Sequence, residues 1–158
     1  MGIEIERKFL LSTEDWREEV SESQSMVQGY LADSVHCSIR VRLAGDKASL
    51  NLKGMTVGAS RSEFEYPLSI EDGRYMLEHY CADRQVEKVR HLVDFGGKRW
   101  EIDEFGGHNR GLIVAEIELD SEQEDFLRPP WLGEEVTGEP RYYNLMLADE
   151  PYQSWFHD

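Results

Sequence analysis

What most restricts the folding of this chain is a two-residue period in which every second position tends to be charged. Alternation of apolar and polar residues over about five to eight positions marks a half-buried strand, because successive side chains point to opposite faces. Segments near 3–10, 26–32, 37–44, 47–53, 61–69, 85–95, 98–105 and 112–119 show this alternation. Ala44-Gly45-Asp46 and Phe95-Gly96-Gly97-Lys98 separate neighbouring segments and read as hairpin turns. The expected fold class is α+β, predominantly antiparallel β. Short peripheral helices are expected near 13–20, near 70–80 (begun by Ser69 or Asp72), near 121–127 (capped by Ser121) and near 140–148.

The polar face has a theme that a solvated sheet does not need. Glu4, Glu6 and Lys8 share one face of the first strand, with Ile3, Ile5 and Phe9 mostly opposite. Arg40 and Arg42, Glu63 and Glu65, Lys88 and Arg90, Glu101 and Asp103, and Glu116 and Glu118 repeat the spacing, and Lys53 ends its own strand. Any one doublet reads more readily as a solvated outer face. Their recurrence does not, because each doublet carries one sign, whereas a surface built for solubility intersperses charges. An eight-stranded closed β-barrel (a tunnel) would turn one face of every strand inward around a small ligand. Converging cations then need a polyanion, and converging carboxylates need a divalent metal. A phosphate-rich ligand with Mg²⁺ or Mn²⁺ meets both needs.

A length of 158 residues, 40% of them hydrophobic, suits one domain spanning 1–158. A formal net charge of −15 argues against nucleic acid and anionic membranes as partners. No apolar run reaches the roughly 18 residues of a membrane span, and the first residues lack the apolar segment of a signal peptide, so a cytoplasmic protein is expected. Cys37 and Cys81 read as free thiols. His36, His79, His91, His108 and His157 show no metal-ligand spacing, and no phosphate-binding P-loop is present.

Glu4-Ile5-Glu6-Arg7-Lys8 matches the E-x-E-x-K strand that opens the CYTH superfamily, the triphosphate tunnel metalloenzymes. Gln28-Gly29-Tyr30-Leu31, Arg40-Val41-Arg42, Leu52-Lys53-Gly54, Arg61 to Glu65, Glu87 to Arg90, Glu101-Ile102-Asp103, Glu116-Ile117-Glu118 and Pro129 to Thr137 follow in that family's order. The resemblance implies metal binding by Glu4, Glu6, Glu116 and Glu118, with Glu63, Glu65 and Asp103 supporting a second ion or the attacking water. It assigns phosphate binding to Lys8, Arg40, Arg42, Lys53, Lys88 and Arg90, with Arg61 at the rim. Among these, Lys8, Arg40 and Arg42 would also serve catalysis, and Glu63 or Glu65 would take the proton of the water. Glu101 has the same parity and stays outside this set.

Within the family, the chain is most similar to short bacterial members that hydrolyse inorganic tripolyphosphate, which share the QGYL segment, the PPW-x-GEEVT run and an R-Y-x-N helix. Here that helix begins Arg141-Tyr142-Tyr143-Asn144 and by resemblance plugs one tunnel mouth. Leu145 stands where a cation is expected, which leaves substrate length open. Hydrolysis of thiamine triphosphate or a nucleoside triphosphate, or ATP cyclisation, remain alternatives on the same scaffold. Cyclases of the family usually carry a longer lead into the first motif. A module that binds polyphosphate without catalysis is the alternative of another class. It has no use for carboxylates facing its ligand. A homodimer through outward apolar strand faces fits the resemblance.

Overall fold

The computed structural model describes residues 2–156; His157 lies outside them. Its strands are β1 (Gly2–Leu11), β2 (Val20–Asp33), β3 (Cys37–Ala44), β4 (Lys47–Gly54), β5 (Ser60–Leu68), β6 (Gln85–Phe95), β7 (Lys98–Phe105), β8 (Ile113–Glu118) and β9 (Leu132–Glu135). They run β5-β4-β3-β2-β6-β7-β8-β1-β9, and β5 also pairs with β1, so the first eight close into an antiparallel barrel. β1 closes it by pairing with β5 over Gly2–Ile5 and with β8 over Glu6–Phe9. The helices are α1 (Ile70–Tyr80) and α2 (Asn144–Asp149).

Because one face of each strand is charged and turned inward, most of the apolar core lies outside the barrel wall. Phe9, Val93, Trp100, Ile102, Ala115 and Ile117 point outward from β1, β6, β7 and β8 and pack under Trp16, Leu119 and Trp131 from the covering segments. On the opposite side α1, whose Ser69 side chain accepts from the Asp72 N–H, lays Leu77 over Val41 and Cys81. Gly29 allows this approach. A Cβ there would lie 2.5 Å from Cys81 Cβ, which no packed side chain tolerates. Inside the barrel, one end is filled: Val86, Phe105 and Val114 meet Leu147 of α2, with Leu10 against them. The R-Y-x-N segment therefore plugs that mouth.

Several expected elements differ. The segment 13–20 forms a single 3₁₀ turn, Asp15–Glu19, and β2 begins at Val20 rather than near residue 26. The early part of β2 reads Ser21, Glu22, Ser23, Gln24, Ser25, with no apolar alternation, yet it pairs with β6 through Ser25↔Val89. No helix forms at 121–127. Glu124 N–H bonds Ser121 C=O in a turn, the Glu124 carboxylate takes the Asp120 N–H and Lys98, and Glu122 takes the Ala59 N–H. Those cross-chain bonds outcompete a short, acidic helix. The segment 140–148 splits into a 3₁₀ turn at Pro140–Tyr142 and α2. β9 was not expected. It continues the sheet along the end of β1, with a register shift between Phe9 and Leu11. Among the described residues no helix is long and apolar enough to cross a membrane. Both cysteines are free, Cys81 buried and Cys37 half-buried.

Candidate functional site

The strand register converts the charged doublets into one chamber. Lys8 lies opposite Glu116, Glu6 opposite Glu118, Arg90 opposite Asp103, Lys53 opposite Glu63 and Glu4 opposite Arg61, all on the inward phase. They surround a cavity of about 230 Å³ lined by Glu4, Glu6, Lys8, Arg40, Arg42, Lys53, Arg61, Glu63, Lys88, Arg90, Glu101, Glu116, Glu118 and Asn144. No apolar side chain lines it. Around the barrel the two signs occupy different sectors. Lys53, Arg40, Arg42, Lys88 and Arg90 stand on β4, β3 and β6, while Glu63, Glu4, Glu6, Glu116, Glu118 and Glu101 stand on β5, β1, β8 and β7. Lys8 of β1 and Arg61 of β5 project from the acidic sector.

Most carboxylates are neutralised where the sectors meet. Lys53 Nζ donates to Glu4 Oε2 at 2.8 Å and lies 3.9 Å from Glu63. Lys8 Nζ lies 3.4 Å from Glu116 and 3.9 Å from Glu6. Burial alone would lower the Lys8 ammonium pKa, but Glu116 and Glu6 outweigh it and raise that value. Burial pushes Glu116 up, and Lys8 reverses that effect. Glu6 is the exception: burial, reinforced by Glu116 and Glu4 and opposed by Lys8, holds its carboxyl well above the usual range. Lys8 and Arg61, each 3.9 Å from Glu6, do not offset that burial and the two neighbouring carboxylates.

The cation sector has the opposite imbalance. Arg40 is 5% exposed, its Nε has no hydrogen-bond partner, and no carboxylate lies within ion-pair distance of it among the described residues. Arg42 donates through Nε and Nη2 to the neutral Gln28 Oε1. Burial, with Arg40 and Arg90 nearby, lowers the Arg42 guanidinium to about 10. A buried guanidinium beside a half-buried one, neither with an anion, is costly unless a ligand supplies one.

Two expected site residues lie elsewhere. Asp103 does not line the cavity. It is fully buried, with Oδ1 accepting from Arg90 Nε at 2.8 Å and Oδ2 from Lys88 Nζ at 2.7 Å and Arg90 Nη2 at 2.9 Å. Burial would raise its pKa, but Lys88 and Arg90 hold the carboxyl well below the usual range, so it anchors these cations and both of its oxygens already accept from them. Glu65 is exposed and accepts from Asn51 Nδ2 at the open mouth, away from the cavity, because it lies one inward step beyond Glu63 towards the rim. Glu118 is exposed at that mouth but also lines the cavity. Arg61, expected at the rim, lines the cavity 3.7 Å from Glu4.

Other residues join the site. Glu101 lines the cavity and pairs with Arg90 Nη1 at 2.8 Å, as its shared parity with Asp103 allowed. Gln28, wholly buried, and Asn144 carry no charge, so a search for charged doublets passes over them. A side opening of about 150 Å³ joins the cavity past Tyr143 and Leu145 of the plug and Met55 of the β4–β5 loop. Among the described residues, no three acidic, His or Cys side chains converge to hold an ion by themselves, since Glu4, Glu6 and Glu116 face cations.

A CYTH domain matches residues 2–143. An inorganic triphosphatase of Acetivibrio thermocellus is 41% identical over 155 residues, covering 98% of this chain and 99% of that protein. An inorganic triphosphatase of Nitrosomonas europaea is 38% identical over 153 residues, covering 92% and 96%. The crystal structure of the inorganic triphosphatase NE1496 superposes with a TM-score of 0.68 at 35% identity, covering 91% of this chain and 96% of that one. With its strand order, its inward charges and these matches, the chain belongs to the CYTH domain family.

Proposed function

We propose that the protein hydrolyses inorganic tripolyphosphate to pyrophosphate and orthophosphate in the tunnel, with the whole chain, 1–158, acting as one unit. The observation that carries this reading is the Arg40–Arg42 pair, Arg40 buried and Arg42 half-buried, with no carboxylate of its own. Its missing counter-charge fits a ligand with several phosphates. A chamber of about 230 Å³ without apolar lining suits an inorganic chain of phosphates, since sites for drug-sized organic ligands run to roughly 300–1,000 Å³. The two triphosphatase relatives, similar along nearly their whole length, support the same reading.

A divalent ion, Mg²⁺ or Mn²⁺, fits the acidic sector because carboxylate oxygens are hard donors and Glu6 is crowded by Glu116 and Glu4. Glu4, Glu6, Glu116 and Glu118 would hold it, and a second ion would draw on Glu63. Since no three of these converge unaided, phosphate oxygens would complete its shell, as is usual for Mg²⁺. When bound, such ions neutralise phosphate charge and lower the pKa of a coordinated water.

The chain's own groups supply the remaining work. Arg40, Arg42, Lys88 and Arg90 hold the phosphates along one wall, in line with a water on the other, which is what phosphoryl transfer most requires. Asp103 keeps Lys88 and Arg90 in place. Lys8, set between Glu6 and Glu116, neutralises developing charge near the acidic wall. Glu63 lines the cavity and is the better placed of the two β5 carboxylates to accept the proton of the water.

The test is orthophosphate release from tripolyphosphate, ATP and thiamine triphosphate, each with Mg²⁺, Mn²⁺ or EDTA. Fast metal-dependent release from tripolyphosphate, slow from the others and abolished in a folded Glu116→Gln variant, is expected. Preference for ATP or thiamine triphosphate would move the organic group into the side opening by Tyr143 and Leu145. Tight binding without release would make the protein a polyphosphate binder.

A further inference from the structure

We propose that Gln28 and Asn144 form an amide relay that makes the seating of α2 and the alignment of Arg42 and Lys88 on the phosphates one event. This rests on the tripolyphosphatase reading and goes further: it assigns positioning roles to two neutral residues. Gln28 is wholly buried on the inner face of β2, between the strands that carry Arg42 and Lys88. Its Oε1 accepts from Arg42 Nε at 3.1 Å and Nη2 at 2.9 Å. Its Nε2 donates to Asn144 Oδ1 at 2.9 Å, and the same oxygen accepts from Lys88 Nζ at 2.9 Å.

The direction of both amides follows from the cations. Guanidinium and ammonium groups only donate, so each amide must turn its oxygen to its cation, and the one remaining way to join the amides is Gln28 N–H to Asn144 C=O. Asn144 is the first residue of α2, whose Leu147 is buried against Val86, Phe105 and Val114. The relay thus ties the apolar plug to the two cations. If α2 lifts, Gln28 Nε2 keeps only its longer bond to the Tyr30 hydroxyl, at 3.4 Å, Lys88 loses one of its two acceptors, and Arg42 keeps a partner that is less firmly fixed. Anything that aligns those cations must favour the seated plug to the same degree.

The experiment is a double-mutant cycle on tripolyphosphate hydrolysis with Mg²⁺, using Gln28→Ala, Asn144→Ala and the double variant. Backbone amide exchange of residues 144–149 is measured in each protein. Each single change is expected to cut kcat/KM by about 10–100-fold, with KM raised and kcat lowered together, because misplaced contacts weaken the ground state and weaken the in-line transition state more. The double variant should fall no more than about 3-fold below the worse single one, since both break the same relay. Exchange in 144–149 should quicken in Gln28→Ala while the amides of β3 and β8 stay protected. Losses that multiply in the double variant, or an α2 whose exchange is unmoved by Gln28→Ala, would overturn the relay and leave the tripolyphosphatase standing. A wild-type protein that releases no orthophosphate would overturn the activity, and the relay with it.

Discussion

Arg40 and Asp103 sit on inward-facing phases of the same barrel and meet opposite fates. Asp103 has three hydrogen bonds from two cations, while the Nε of Arg40, about equally buried, has none. A buried charge left unpaired costs stability that a hydrophobic residue of similar size would recover. Arg40→Met should therefore stabilise the ligand-free protein by about 1–3 kcal/mol, roughly 3–8 °C in Tm. The same change should lower kcat/KM for tripolyphosphate by an amount equivalent to about 2–4 kcal/mol, the worth of a charge-assisted contact in a partly dry site. Calorimetric melting and steady-state kinetics on one preparation decide it, and a destabilised variant with full activity would refute both halves. The same pair marks how far the site was legible in sequence. Side-chain parity identifies which face a residue joins, and so brought Glu4, Glu6, Lys8, Arg40, Arg42 and Lys88 together. Parity is silent on depth along the tunnel axis, so it does not reveal that Asp103 lies under the cations and Glu65 at the rim.

Among the elements, β9 is the one the alternation rule misses, for a physical reason. Leu-Gly-Glu-Glu is too short to show a period, and side-chain bonds fix it to β1: Arg7 donates through Nε and Nη2 to the two oxygens of Glu135, and Thr137 Oγ1 accepts from the Lys8 N–H. The first half of β2 escapes for a related reason, because its Ser and Glu side chains face solvent on a strand whose partner supplies the backbone bonds. The closed barrel itself was legible because the other strands keep the two-residue period over most of their length, despite Arg7 on the apolar face of β1 and the adjacent Leu92-Val93 in β6. Arg7, through its hydrogen bonds, holds the Glu135 carboxyl below its ordinary value. A depressed carboxyl contributes stability above its unfolded pKa of about 4.3, and that contribution is lost as pH falls below this towards the folded value. Glu135 is partly exposed, so solvent screening keeps the contribution to about 1 kcal/mol or less. Glu135→Gln should thus be less stable than the wild type at pH 7 and equal to it near pH 3. Urea unfolding at the two pH values checks this, and an unchanged gap would mean that β9 is held by packing alone.

The molecule as a whole is built inside out. Most of its apolar core lies between the barrel wall and its covering segments, while the chamber lining gathers seven of the 17 Lys and Arg residues and six of the 32 Asp and Glu, with Asp103 buried behind it. Stability and function are thus separated in space. The outer core, with Trp16, Trp100 and Trp131 buried, sustains the fold, and the chamber opposes it until an anion arrives. This predicts an unusually direct link between ligand and melting temperature. A ligand that binds only the native state at 100 times its Kd adds about 2.7 kcal/mol. For a domain of this size that amounts to roughly 5–10 °C. Tripolyphosphate with EDTA present to suppress turnover should raise Tm in this way, whereas sodium chloride at the same ionic strength should not. In Arg40→Met the rise should shrink, because the variant has already relieved part of the strain that the ligand relieves in the wild type. An equal rise in both proteins would place the anion outside the chamber. No rise in either would mean that the cation sector does not meet its ligand without a metal, and repeating the melt of Glu116→Gln with Mg²⁺ and tripolyphosphate would separate a need for the ion from an inability to bind.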